Sequence, residues 1–227
     1  MGEEDEMRRD LATSAVVVVA NFFNPSVVNH LWLVRNGLLG EDELQPNSGS
    51  MFTDALVQVL TARFALLVTP EQLQFMPAPT EPEPERLIVE KVGRLVEILP
   101  HTPFRALGLN FTWQVKPETG DLRRLTRQLF YKEETPLYRE FSSDDANFGA
   151  YLSRDFGGFR LKLDIRPITV PRQESVEYAL QMLFNYHADL DPNAAPTERI
   201  HLLLRRWREV SEEARRLVDV LIEGAGQ

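Results

Sequence analysis

Cysteine is absent from the 227 residues. That excludes disulfides, thiolate nucleophiles, iron–sulfur clusters and Cys-ligated zinc, and leaves the redox compartment unread. Histidine occurs four times, at His30, His101, His187 and His201, so imidazole chemistry has few places to arise. No apolar run is long: Ala15 to Phe23 is interrupted by Asn21, whereas a membrane-spanning helix needs about 20 residues. Phosphate-loop, dinucleotide, zincin and G-x-S-x-G motifs are missing. Positive charge is scarce, with 25 Lys and Arg against 34 Asp and Glu and a net charge of −9. The averaged field therefore repels phosphate backbones and anionic membranes. The opening residues, MGEEDEMRRD, have neither the basic start of a secretion signal nor a hydroxyl at position 6 for myristoylation. A cytoplasmic protein with no cofactor and no membrane attachment is expected.

What is present patterns clearly. Over Val176–Asp189, Val176, Tyr178, Leu180, Met182, Phe184 and Tyr186 alternate with Glu177, Ala179, Gln181, Asn185, His187 and Asp189. A strand sends successive side chains to opposite faces, so this is a long strand with one apolar and one polar face, the polar side broken only by Leu183. Arg105–Lys116 reads likewise, with Leu107, Leu109, Phe111, Trp113 and Val115 against Ala106, Gly108, Asn110, Thr112, Gln114 and Lys116. The β-branched run Ala15–Phe22 reads as a strand buried on both faces. Further strands are expected over 54–61, 63–69 and 73–76, and in a hairpin, 148–153 and 159–166, turned by Gly157-Gly158.

Helices are expected over 25–35 with Leu31 and Trp32 inward, over 83–99 on Ile88, Val92, Leu95, Val96 and Leu99, over 120–130, and over one long stretch from a Thr197 cap to Glu223. Residues 38–50 and 132–146 read as loops, and the proline-rich 77–84 as a stiff connector. The order predicts an α+β fold: a largely antiparallel sheet with helices packed on one face, with room for two related halves. Residues 1–12 read as a flexible acidic tail, and 13–227 as a single α+β domain.

Three constellations could carry chemistry. His187, Asp189 and Asp191 share the polar face of the last strand and offer a ligand set for a divalent metal, as in a metal-dependent hydrolase. One strand spaces such ligands about 7 Å apart, and Asp191-Pro-Asn is also turn chemistry. Arg160, Lys162 and Arg166 make a basic stripe on a sheet face, a second alternative as a nucleic-acid contact, without aromatic residues to stack bases. Asp144-Asp145 and His101, between two prolines, read more simply as loop and connector. The third constellation is the sheet's second face. If the two long strands are neighbours, Ala106, Gly108, Asn110 and Thr112 stand beside Ala179, Gln181, Asn185 and His187. These small and neutral-polar residues let another backbone approach, and glycine inside a strand often marks such an approach.

Ala20-Asn21-Phe22-Phe23-Asn24-Pro25, Leu99-Pro100-His101-Thr102-Pro103 leading into Ala106-Leu107-Gly108-Leu109-Asn110-Phe111, and Phe184-Asn185-Tyr186-His187 together resemble a bacterial protein family of unknown function. The resemblance implies a compact α+β protein of the bacterial cell interior and brings no activity with it. The sequence therefore points to a non-enzymatic interaction protein, a subunit or adaptor of a larger assembly. A protein partner or a second copy is expected on the face holding Ala106, Gly108, Asn110, Thr112, Gln181, Asn185 and His187.

Overall fold

The computed structural model describes residues 7–44, 49–117, 121–171, 176–191 and 193–225. In chain order these form β1 (Met7–Ala20), α1 (His30–Arg35), β2 (Met51–Phe52), β3 (Val57–Leu60), β4 (Phe64–Val68), β5 (Gln72–Pro77), α2 (Pro84–Ile98), β6 (Phe104–Pro117), α3 (Leu122–Phe130), α4 (Pro136–Arg139), β7 (Ala150–Phe156), β8 (Phe159–Pro171), β9 (Val176–Asp189), α5 (Pro196–Leu204) and α6 (Trp207–Ala225). The strands make one sheet in the order β2-β3-β4-β5-β1-β6-β9-β8-β7. The fold is α+β, with the antiparallel sheet that the alternating patterns predict. No described helix is long and apolar enough to cross a membrane. The chain divides into two compact units: Met1–Ala12, Phe111–Asn185 and Ser211–Gln227 form the first, Thr13–Asn110 and Tyr186–Val210 the second.

In the second unit, β1, β5, β4 and β3 pair antiparallel in an unbroken register. Their inward residues meet α1 and α2: Leu33, Leu95, Val59, Phe64, Leu66 and Phe75 surround one small internal space. Helix α2 starts at Pro84, where a missing N–H costs nothing. It buries Leu87, Ile88, Val92, Leu95 and Val96. Gly93 sits against α5, where a Cβ would lie 2.8 Å from His201 Cε1.

In the first unit, Gly157 and Gly158, with φ +55° and +86°, form the two-residue turn that joins β7 to β8 without splaying them. Asp121 caps α3 by accepting from the Arg123 N–H at 2.9 Å. The Arg127 guanidinium lies 5.0 Å from the Tyr131 ring and 5.3 Å from Phe148, and donates to the Ser142 carbonyl. Helix α6 is tied to this unit by ion pairs from Arg9 to Asp219 and from Arg154 to Glu213.

Several expectations are corrected. Met7–Ala12, read as tail, belongs to β1, where Arg9 is held by its ion pair with Asp219. Val16 and Val18 are fully buried while Val17 and Val19 are only half-buried, so β1 is not covered on both faces. The stretch 25–35 is a 3-10 turn at Pro25–Val27 followed by α1, because Asn29 re-caps the chain by accepting from the Trp32 N–H. Leu33, not Leu31, therefore points inward, and Leu31 is exposed. The expected loop 132–146 contains α4, and a short strand, β2, lies between the expected loop 38–50 and the expected strand 54–61. The long last helix is two, broken between the buried Leu204 and Trp207. Its cap is not Thr197 but Ala195, held at φ +48° with no side-chain hydrogen bond. Residues 1–6 of the expected tail, 45–48 of the loop, and Gly120 at the expected start of α3 lie outside the described residues.

Candidate functional site

Cross-strand register sorts the second unit's sheet into rows. Val16, Phe75, Leu66 and Val59 lie opposite one another on β1, β5, β4 and β3, and each is at most 3% exposed. One residue along, Val17, Gln74, Leu67 and Gln58 form the next row, and all four are half-buried. A one-residue step turns a side chain to the other face, so this second row looks away from α1 and α2. Met76, Ala65 and Leu60 form a parallel row on the same side.

No Asp, Glu, Lys or Arg stands in either outward row. Their polar members are glutamines, and the Gln74 side chain has no hydrogen-bond partner among the described residues. Charge begins at the rim. Arg63, in the turn before β4, pairs with Glu81 at 3.0 Å. The Arg63 guanidinium, by hydrogen bonding, holds the Glu81 carboxyl below the ordinary value of 4.5. The outward residues of β8 differ. Arg160 and Lys162 are exposed, with Asp164 and Arg166 further along, and Arg160 pairs with Asp155 at 3.1 Å. An outward strand face in this protein can thus be highly charged, and the face over β1, β5, β4 and β3 is not.

The expected partner face lies on β6 and β9, which are neighbours in the sheet. In the second unit, Ala106 and Gly108 are buried, a correction to the expectation that they lie open: residues without a side chain, or with a single methyl, present little surface of their own above the sheet. Asn110 and His187 are half-buried, and Asn110 already has an interaction within the chain. In the first unit, Thr112, Gln181 and Asn185 are half-buried, and Asn185 is also engaged.

The other candidates are dispersed. His187 Nε2 and Asp189 Oδ1 are 3.0 Å apart. Asp191 instead accepts from the Asn193 N–H at 2.9 Å, a turn contact. Among the described residues no three His, Asp or Glu side chains converge on a metal position. His101 is an exposed turn residue, and His201 meets Glu97 at 3.2 Å. The Asp145 carboxyl is lowered by the Ser143 hydroxyl beside it. A cleft of about 980 Å³ in the first unit is lined by the Lys116–Glu177 ion pair, with Arg8, Asp121, Arg123 and Tyr178. Its opposing charges largely neutralise one another.

No family model, no curated protein and no solved structure matches this chain. The sequence carried a signal for the single strands, though not for their alignment: Gln72-Leu-Gln-Phe-Met76 and Val57-Gln-Val-Leu60 alternate apolar residues with glutamine or a second apolar residue, never with a charge.

Proposed function

We propose that this chain is a non-enzymatic interaction protein, a subunit or adaptor of a larger assembly in the bacterial cytoplasm, and that it docks through the outward face of β1, β5, β4 and β3. The observation that carries this reading is the charge-free pair of outward rows in a chain of which 26% is charged. An antiparallel sheet tolerates water on one face, and solvent-facing strands commonly carry charge there, as β8 does. Charge depletion at the centre with charge at the rim is the composition of a protein–protein interface. Leu67, Leu60 and Met76 supply apolar area, and the glutamines satisfy polar contacts without the desolvation cost of an ion.

The reading is tested by placing a photo-crosslinking side chain at Gln74, with the same group at Lys162 as control, in cells producing the full chain. A covalent adduct to protein is expected from position 74 and not from 162. Absence of any adduct at 74, or equal adducts at both, overturns it.

A further inference from the structure

Resting on that reading, we infer that the occupant of this face is a second copy of the chain, packed sheet against sheet about a twofold axis that runs parallel to β5, midway between the two sheets. Three observations lead there. The first is electrostatic. A twofold axis opposes a patch to itself, so any patch with net charge repels its own copy. Each chain carries −9, and the uncharged rows are where two such chains can meet without apposing like charges. A hetero-partner would gain orientation and specificity from complementary charge, which this face does not offer.

The second is chemical. The row reads valine, glutamine, leucine, glutamine across β1, β5, β4 and β3. Such an axis puts Gln74 against Gln74 of the other copy and Val17 against its Leu67. A primary amide both donates and accepts, so Gln74 can pair with itself, whereas a carboxylate or an ammonium cannot. Apolar meets apolar on either side of it.

The third is geometric. Within the face β3-β4-β5-β1, β5 has a strand of the face on either side, so an axis along it opposes β4 to β1 and β5 to itself. Sheets pack face to face about 10 Å apart. Strands about 4.8 Å apart give a patch roughly 20 Å across. That is at most roughly 400 Å² per copy, below the standard size class, so the association expected is weak and transient.

The full chain is examined by sedimentation velocity over a concentration series spanning the micromolar range. A monomer–dimer equilibrium is expected for the wild type. Gln74→Glu and Gln74→Lys each weaken it by about tenfold or more, since each opposes like charges across the axis. An equimolar mixture of the two variants associates more tightly than either alone. Circular dichroism confirms that both variants fold, and Leu67→Glu, opposite Val17, provides a second disruption if one does not. A wild type that stays monomeric while position 74 still crosslinks to another protein overturns the second-copy inference and leaves the docking face standing. A monomeric wild type with no adduct overturns both. A dimer that ignores all three substitutions overturns this face as its interface.

Discussion

Gly93 illustrates how one missing methyl can fix a helix pair. Replacing glycine by alanine inside a helix ordinarily stabilises by about 1 kcal/mol. Here the new Cβ would lie 2.8 Å from His201 Cε1 and 3.1 Å from Nδ1, so the imidazole must move away from Glu97. The ring is the end of a partly exposed side chain and can swing aside, so the cost is the His201–Glu97 contact, about 0–1 kcal/mol. Gly93→Ala is therefore expected to be near neutral in the wild type and to stabilise the His201→Ala background by about 1 kcal/mol. Urea unfolding of the four proteins of this double-mutant cycle measures the difference. Equal effects in both backgrounds would mean that the ring does not set the space at Gly93.

Strand β7 is the long edge of the sheet, and its attachment depends on Gly149. A Cβ there would lie 2.2 Å from the Ile165 carbonyl oxygen, a backbone atom that cannot swing aside. Gly149→Ala is expected to separate the start of β7 from β8, a loss of about 2–4 kcal/mol, of the size seen when a substitution breaks packing that cannot relax. Hydrogen exchange should show amides of Ala150–Leu152 losing protection while those of β4 and β5 keep it; unchanged protection in β7 would refute this. Much of the element scale was readable beforehand. The limits of β9 follow from alternation alone, and the β7–β8 turn from Gly157-Gly158. The break between α5 and α6 was not readable: no proline or glycine marks Arg205-Arg206, and the chain turns there between residues buried by tertiary packing. The division at Asn29 was a missed local signal, since asparagine caps helices well.

Over the whole molecule, several glutamates are held below their ordinary value by arginine hydrogen bonds: Glu81 by Arg63, Glu209 by Arg206, and Glu213 by Arg216 with Arg154. A carboxyl with a lowered pKa in the folded state contributes stability that is fully present above its unfolded value, near 4.5. That contribution is lost as pH falls through the lowered folded value. Resistance to urea should therefore fall as pH drops below about 4.5. Arg63→Gln should cost up to about 1 kcal/mol near neutral pH, a modest figure because the guanidinium is largely exposed to solvent. That difference from the wild type should shrink as the medium is acidified. A difference independent of pH would show that Arg63 acts by packing and not by its charge.

The sequence by itself determined the α+β class, the limits of β9 and, to within a residue, those of β6, the helix α2 with its buried stripe, and the exclusion of cysteine chemistry. These follow from side-chain period and residue chemistry, which act over a few neighbours. Only the tertiary structure decided that β5 lies between β1 and β4, and so aligned Val17, Gln74, Leu67 and Gln58, residues far apart in the chain, into one uncharged row. It also decided that Ala106 and Gly108 are buried and that Asp191 is taken up in a turn contact with Asn193. Strand order and register are set by packing between distant segments, and periodicity within a segment carries no information about which neighbour that segment will find.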